Sequence, residues 1–165
     1  MRARRDCPDG AKVLSVLTLP IASKVVPPGK ADAADTITLD EAGRHRRRLA
    51  MTSDNGIRFL LDLAEARLLR HGDGLQLNDG RIIEVKAKPE PLYLVRPRDA
   101  LHHLRLAWHL GNRHCPAQIN EKFILIRRDH TLRTMLEGLG ADIEDVEAPF
   151  DPEGGAYESG HHHHD

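Results

Sequence analysis

Cysteine, aromatic side chains and long apolar runs are all scarce in this sequence. Its 165 residues include only Cys7 and Cys115, and aromatic residues make up 4% of the chain. Two cysteines so far apart exclude a disulfide framework and a cysteine-based zinc knuckle. No apolar run approaches the roughly 18 residues of a membrane-spanning helix. We therefore expect a cytoplasmic protein with no membrane partner.

Net charge is missing as well, because 24 Lys and Arg side chains are balanced by 25 Asp and Glu side chains. This balance indicates neither a strong nucleic-acid-binding field nor a funnel for acidic substrates. The start "MRARRDCPDGAKVLSVLTLPIAS" resembles an export signal, but Asp6, Asp9 and Lys12 interrupt it, and Val13 to Ile21 is predicted to be a first strand. A local basic excess at residues 44–48 indicates either a solvated turn and strand face or a docking surface for phosphate or an acidic partner.

The standard catalytic signatures are also absent. The sequence has no phosphate-binding glycine loop, no dinucleotide fingerprint, no His-Glu-x-x-His and no nucleophile elbow. It shows no cluster of carboxylates and histidines of the kind that a metal-dependent hydrolase needs. We therefore expect that the protein is not an enzyme.

Short β-rich runs separated by turn signals fill the first half of the chain. Asp54-Asn55-Gly56 and Asn78-Asp79-Gly80 are strong hairpin signals. No long helical periodicity appears before residue 86. The proline-rich stretch "KAKPEPLYLVRP" then indicates a domain boundary. The sequence thus predicts an all-β domain over residues 1–87, built as a small sandwich or barrel-like unit.

Two amphipathic helices alternate with strands in the second half. Pro97 and Asp99 are typical of a first helical turn, and Gly111-Asn112 ends that helix. Asp129 is suited to cap a second helix, which Gly140 ends. The element order β-α-β-β-α-β predicts a ferredoxin-like α+β domain over residues 88–150. The fold class is therefore α+β, with an amino-terminal all-β domain.

Periodicity predicts which side of each helix is apolar. In the second helix the predicted core positions are Leu132, Met135, Leu136 and Leu139. In the first helix they are Leu101, Leu104, Ala107 and Trp108, with Leu110 at the margin. The side chains expected in solvent there are Arg105, His102 and His109. His103, at the edge of the apolar arc, is expected to pack against neighbours rather than to bind a ligand.

Histidine is abundant, at 11 residues. His102 and His109 are seven residues apart, about 10 Å along a helix, which is too far to share one ion. His114 is the better candidate ligand, because it lies on a short loop between a helix stop and Cys115-Pro116. Cys115 is either a soft co-ligand or a buried residue. His130 lies at the start of the second helix, beside the predicted cap.

Three stretches of the second half carry a family resemblance. They are "WHLGNRHCPAQI" (residues 108–119), "RRDHTLRTMLEGLG" (residues 127–140) and "PFDPEGGAY" (residues 149–157). In their order and spacing they resemble the UreE family of urease accessory nickel metallochaperones. The first half is similar to that family's amino-terminal domain in its β-rich character and position.

The resemblance implies a partner- and peptide-binding β domain, a ferredoxin-like metal-binding domain and a homodimer. It implies delivery of Ni²⁺ to the urease apoprotein alongside a GTP-binding urease accessory protein, UreG, with no nucleic-acid partner. The family motif falls on Gly111, Asn112, Arg113 and His114, and it places His114 against its symmetry mate at the dimer interface. A two-fold axis supplies two identical imidazoles, which suit Ni²⁺. His130 matches a second histidine of the family and is a candidate for further coordination.

One departure from the family pattern and the histidine-rich end bear on the predicted site. Arg128 replaces a histidine that some members have, and a permanent cation cannot bind a metal there. His161, His162, His163 and His164 follow a family-like "GGAY" and precede Asp165, so we interpret them as native rather than as a purification tag. Residues 151–165 are expected to form a disordered tail whose histidines collect Ni²⁺ weakly near His114.

Two other functions stay open at this point. One is a nucleic-acid-binding ferredoxin-like module that uses residues 44–48. The other is a general histidine-rich metal-storage protein. Zn²⁺ and Cu²⁺ also remain alternative metals, because both bind imidazole sites as well as Ni²⁺ does or better.

Overall fold

The computed structural model describes residues 19–29 and 32–155. Within these ranges the chain forms ten strands and three helices. The strands are β1 (Ile21–Val26), β2 (Asp35–Leu39), β3 (His45–Thr52), β4 (Arg58–Leu68), β5 (Gly74–Leu77), β6 (Ile82–Ala87), β7 (Pro89–Arg96), β8 (Ala117–Ile119), β9 (Ile124–Arg127) and β10 (Asp142–Pro149). The helices are α1 (Glu41–Arg44), α2 (Ala100–Asn112) and α3 (His130–Gly138). None of the helices described is long and apolar enough to span a bilayer.

Two compact units make up the chain. Of the described residues, the first contains those from 19 to 37 together with Arg46–Ala66 and Gly72–Val85. The second contains residues 86–155 together with two short segments of the first half, residues 38–45 and 67–71. The expected first strand lies mostly outside the described residues, and β1 begins only at Ile21.

Six strands form one mixed sheet in the order β2-β6-β5-β1-β4-β3. Both predicted hairpins are confirmed, because the turn at residues 54–56 joins β3 to β4 and the turn at residues 78–80 joins β5 to β6. Gly56 (φ +101°) and Gly80 (φ +90°) occupy the left-handed region at these turns. A side chain with a Cβ is strained there, which explains the glycines. The predicted β-rich first half is thus confirmed.

Alternating apolar side chains form the core of the first unit. Along β4, Phe59, Leu61 and Leu63 are buried, whereas the residues between them are partly exposed. Leu75 and Ile83 from the neighbouring hairpin are fully buried as well. Each fully buried side chain of this size stabilises the fold by roughly 1.5–3 kcal/mol. The period-two pattern of β4 therefore accounts for its place in the sheet.

A buried carboxylate ties the start of β2 to the turn after β3. The Ser53 hydroxyl and the Asn55 side-chain amide both donate to Asp35, the latter at 2.6 Å. The backbone amide of Thr36 donates to the same carboxylate at 2.7 Å. The hydrogen bond from Ser53, followed by those from Asn55 and Thr36, lowers the pKa of Asp35 to about 2 against the cost of burial. Asp35 therefore holds these two segments together as an ionised group.

A four-stranded antiparallel sheet in the order β10-β7-β9-β8 forms the second unit with α2 and α3. The predicted caps are confirmed, because Asp99 accepts from the amide of His102 at 2.8 Å and Asp129 accepts from the amide of Leu132 at 2.8 Å. The fully buried core residues are Val95, Leu106, Leu110, Ile124, Ile126 and Leu136. The α+β class of this half is confirmed.

The predicted orientation of α2 was wrong. Leu101, Leu104 and Trp108 are 56%, 66% and 64% exposed. The stripe that faces the core instead consists of His103, Leu106 and Leu110. Because α2 is apolar on two sides, the periodicity of its sequence does not indicate which side packs against the sheet.

His102 was expected in solvent but is buried. Its Nδ1 accepts from the amide of Arg98 at 3.0 Å, and its Nε2 lies 2.9 Å from the carbonyl of Leu139. Both ring nitrogens are therefore used within the fold. Its burial follows from these two partners, which lie outside α2 and leave no trace in the periodicity of the helix.

Arg44 differs from the rest of the basic run, because it is fully buried in the second unit. Its guanidinium donates to the carbonyls of Phe150 and Leu69 and forms a 3.0 Å ion pair with Asp151. The expectation that residues 44–48 form one solvated face therefore fails at its first member. Distant backbone carbonyls, which no local pattern reveals, explain the burial of Arg44.

Candidate metal centre

His114 lies immediately after α2 in an unusual backbone conformation. It has φ +54°, the left-handed region, and it is the one non-glycine residue with a positive φ in the described chain. Its amide donates to the carbonyl of Gly111 at 3.0 Å, and the amide of Cys115 donates to the carbonyl of Leu110 at 3.1 Å. These bonds close the end of the helix, a position where glycine is usual.

A histidine at this position is less stable than a glycine, by roughly 1–2 kcal/mol. The residue is exposed, so packing of its imidazole does not offset that cost. Strain of this kind concentrates at functional positions. The conformation of His114 therefore makes it the strongest candidate ligand among the described histidines.

Cys115 points into different surroundings from His114. It is half-buried and packs against the core of the second unit. Burial, and then the nearby carboxylate of Asp129, raises the pKa of the Cys115 thiol. A protonated thiol is a poor metal ligand, because metals bind the thiolate. Of the two alternatives for this residue, burial fits the structure better.

His130 is the first residue of α3 and is exposed. Its carbonyl accepts from the hydroxyl of Thr134 at 3.0 Å, which leaves the imidazole uninvolved in the helix. Asp129, just before it, uses its carboxylate to cap the helix. His130 is therefore available as a ligand.

Residues beside both histidines line one cavity of about 450 Å³. Arg113 and Cys115 flank His114, and Asp129 and Thr131 flank His130. The two loops thus border the same space, although neither imidazole lines it. The arrangement brings the neighbourhoods of the two candidate ligands together on one side of the second unit.

Arg128 also lines this cavity and has a structural role. Its guanidinium donates to the carbonyls of Leu92 and Val146, at 3.2 and 3.1 Å. It lies 3.8 Å from carboxylate oxygens of both Asp145 and Glu147. Arg128 thus contacts both β10 and β7. The prediction that its fixed charge disfavours an auxiliary metal site at this position stays a prediction.

The other histidines of α2 are poor ligands. His102 has both nitrogens occupied. His103 is buried, as expected, but its Nδ1 has no hydrogen-bond partner among the described residues. His109 is half-buried and packs edge-on against Trp108, with ring centroids 5.1 Å apart. None of the three adds to a site around His114.

The described residues of one chain do not form a complete metal site. Across residues 19–29 and 32–155, no three His, Cys, Asp or Glu side chains converge closely enough to hold an ion. His161, His162, His163 and His164 lie outside the described residues. A three-ligand site that uses His114 therefore needs ligands from outside the described residues of one chain.

The segment after β10 runs beside the strand that follows His114. The amide of Glu153 donates to the carbonyl of Ala117 at 2.8 Å, and the amide of Ile119 donates to the Glu153 carboxylate at 3.2 Å. Ala117 begins β8, three residues beyond His114. Glu153 therefore lies beside β8, the strand that begins three residues after the candidate ligand.

An exposed apolar stripe on α2 was missed as a functional feature. Leu101, Leu104 and Trp108 follow the spacing i, i+3, i+7 and lie on one side of the helix that ends at His114. Large apolar side chains clustered on a surface mark interaction sites. Two apolar stripes on one helix were the sequence signal for this surface.

Known proteins match both halves of the chain. Residues 22–88 match the amino-terminal domain of the UreE urease accessory protein, and residues 90–165 match its carboxyl-terminal domain. The protein named urease accessory protein UreE from Chelativorans sp. (strain BNC1) is 68% identical over 136 residues, which cover 80% of this chain and 86% of that protein.

Two further relatives carry the same name. The Rhodopseudomonas palustris (strain HaA2) protein is 59% identical over 132 residues, 80% of this chain and 61% of that protein. The Brucella abortus biovar 1 (strain 9-941) protein is 53% identical over 128 residues, 78% of this chain and 75% of that protein. This chain thus spans less than two thirds of the Rhodopseudomonas relative. With both domain descriptions matched in order, the chain belongs to the UreE family of urease accessory proteins.

Proposed function

We propose that this protein is a nickel metallochaperone that binds Ni²⁺ through His114 at a homodimer interface and delivers it for assembly of the urease metallocentre. The observation that carries the proposal is His114 itself, an exposed imidazole held in a left-handed conformation at the end of α2. The absence of a three-ligand cluster in the described part of one chain agrees with a site that two copies share.

The apolar stripe of α2 supports the dimer. Leu101, Leu104 and Trp108 present a continuous apolar surface about 10 Å long at 1.5 Å per residue. Packing this stripe against its two-fold mate buries apolar area and brings the two helix ends, each followed by His114, toward the axis. The same contact thus provides affinity between copies and the paired imidazoles.

The remaining ligands come from His130 and the histidines at residues 161–164. Asp129 and Thr131, the neighbours of His130, line the same cavity as Arg113 and Cys115, the neighbours of His114. From Glu153, which is fixed beside β8, eight residues lead to His161. An extended chain of that length reaches roughly 27 Å, enough to return to His114. The tail therefore acts as a collecting arm, and ligand exchange passes the ion to the urease apoprotein with the GTP-binding protein UreG.

The architecture is consistent with this role. The strand order β10-β7-β9-β8 with both helices supports a ferredoxin-like metal-binding domain over residues 88–150. The family matches at residues 22–88 and 90–165 support a division near residue 87, with the first domain serving partners or peptides. We place the protein in the cytoplasm, where urease is assembled.

Calorimetric titration with Ni²⁺ tests the proposal on four proteins. They are the intact chain, a chain ending at Ser159, and that shorter chain carrying His114→Ala or His109→Ala. The His109 variant is the matched control, since it removes an imidazole from the same helix region. Light scattering gives the oligomeric state of each protein in parallel.

The expected result is one tight ion per dimer in the shorter chain, lost in His114→Ala and kept in His109→Ala. Tight binding should weaken as pH falls through about 6.5, because each imidazole must lose its proton to bind the metal. Loss of all tight binding with the tail alone would instead favour a histidine-rich store. Trp108→Glu should yield monomers that bind Ni²⁺ weakly, and a stable dimer in that variant would contradict the α2 interface.

A further inference from the structure

Two stretches of neighbouring strands in the first unit's sheet are exposed along their whole length. Residues 46–50 of β3 are all exposed, and so are residues 64–66 of β4. Earlier in β4, Phe59, Leu61 and Leu63 are buried in strict alternation. The alternation stops where the two strands leave the core. We call residues 46–50 and 64–66 together the basic ribbon.

Among the described residues, one edge of the basic ribbon has no strand beside it. β3 is the last strand in the sheet order, and its neighbour in that order is β4. An edge strand presents backbone donors and acceptors to which another extended chain can bind. A further strand on the β3 edge would pair with backbone groups that no described strand uses.

The ribbon carries three arginines and one glutamate, Glu65, so its net charge is positive. Arg46, Arg47 and Arg48 are consecutive, so their side chains project alternately from both faces of one strand. Arg48 pairs loosely with Asp62 at 3.7 Å, and both side chains are largely exposed. The side chains of Arg46 and Arg47 make no ion pair or hydrogen bond with any residue that the structure describes. Two guanidinium groups, one on each face, thus remain available.

The ribbon matches an extended acidic peptide better than a nucleic acid. Consecutive acidic side chains of an added strand fall on opposite faces, as Arg46 and Arg47 do. Single-stranded nucleic acid binds where aromatic rings stack on bases, and the ribbon holds no aromatic residue. Its one large apolar side chain, Leu49, is 43% exposed and suits an aliphatic contact.

We infer that the basic ribbon binds an extended acidic segment of a partner protein, which pairs with the free edge of β3. Backbone hydrogen bonds hold the added strand, and Arg46 and Arg47 select carboxylates on its two faces. This surface is separate in sequence from His114 and involves no metal ligand. The inference therefore stands or falls independently of nickel binding.

Fluorescence anisotropy on the intact protein tests the inference. The probe is a fluorescein-labelled peptide that repeats Glu-Glu-Thr-Thr, which places glutamates on both faces of an extended chain. Two control peptides carry lysine in place of glutamate, or N-methyl groups on alternate amides so that strand pairing is blocked. A labelled polyuridine probe tests for nucleic-acid binding. The protein variants are Arg46→Gln with Arg47→Gln, and the matched control Arg58→Gln, which removes an exposed arginine from the other end of β4.

The glutamate peptide should bind the wild type and the Arg58 control equally, and the double variant roughly 3- to 30-fold more weakly, as expected for two exposed charge pairs. The N-methylated and lysine peptides should not bind, and raised salt should weaken binding.

Equal binding of the glutamate peptide by the double variant overturns the inference, as does equal binding of the N-methylated peptide. Binding of polyuridine in place of the peptide overturns it as well. Binding of neither probe would mean that the arginines only protect an exposed edge. Circular dichroism of each variant verifies that the fold is intact.

Discussion

Arg44→Ala should cost more stability than any substitution elsewhere in the basic run. Arg44 is fully buried, and its guanidinium donates to the carbonyls of Phe150 and Leu69 and pairs with Asp151 at 3.0 Å. The alanine variant leaves both carbonyls without this donor in a buried environment. It also opens a cavity where the long side chain was.

The size of the destabilisation depends on which partners of Arg44 are left without a hydrogen bond or a counter-charge. Removing one member of a buried ion pair costs roughly 3–5 kcal/mol when the remaining charge is left unpaired. Here Asp151 is 31% exposed and keeps Arg70 at 2.9 Å, so its charge stays compensated. The penalty then comes mainly from two carbonyls and the cavity. We expect a loss of about 2–4 kcal/mol in the free energy of unfolding.

Urea denaturation followed by circular dichroism measures the loss. Arg47→Ala is the matched control, because Arg47 lies three residues away, is exposed and has no ion pair among the described residues. It should change the stability by less than about 0.5 kcal/mol. A loss below about 1 kcal/mol for Arg44→Ala would refute the structural role assigned to this residue.

Three other substitutions test single features. Asp35→Asn should lower the free energy of unfolding at neutral pH, because folding lowers the pKa of Asp35 from 3.8 to about 2. The ionised group therefore stabilises the wild type above pH 3.8, and this contribution disappears as the pH falls toward 2. The stabilities of the two proteins, measured as a function of pH, should converge there. His102→Ala removes partners from Arg98 and Leu139 and should cost about 2–4 kcal/mol in urea denaturation without changing Ni²⁺ stoichiometry. Cys115→Ser should keep tight Ni²⁺ binding in calorimetry, and its loss would show that the thiol is a ligand after all.

Features encoded by neighbouring residues could be predicted from the sequence. Gly56 and Gly80, at the turns of residues 54–56 and 78–80, have a left-handed backbone conformation that few residue types other than glycine adopt. The caps at Asp99 and Asp129 use side chains that reach amides three residues away. Such signals act within one turn of chain, so the pattern and the structure agree on where these elements begin.

Features set by distant contacts could not be predicted. The core side of α2 depends on which of two apolar stripes its own sheet covers, and helical periodicity treats both stripes alike. Arg44 is buried because its guanidinium donates hydrogen bonds to the carbonyls of Leu69 and Phe150, which are more than 20 residues away in sequence. Composition alone placed Arg44 with its exposed neighbours.

The candidate site was predictable only through the family resemblance. Family membership and the absence of enzymatic function are confirmed by the match of both halves to urease accessory proteins. The motif at residues 111–114 pointed to His114, but no periodicity predicted its left-handed backbone. That conformation accompanies the closure of the helix after its cap Arg113, where the amides of His114 and Cys115 donate to the carbonyls of Gly111 and Leu110. His114, His130 and residues 161–164 stay predictions as ligands.

A site divided between two copies would couple nickel capture to self-association. If His114 supplies one imidazole per chain, the monomer holds too few ligands for tight binding, and the dimer holds the pair. Whatever free energy nickel gains by binding the dimer rather than the monomer must also strengthen the dimer. The exposed stripe of Leu101, Leu104 and Trp108 then sets the affinity for the metal as well as for the second copy. A partner that loosens this contact would lower nickel affinity without touching a ligand, which provides a physical route to release for a carrier.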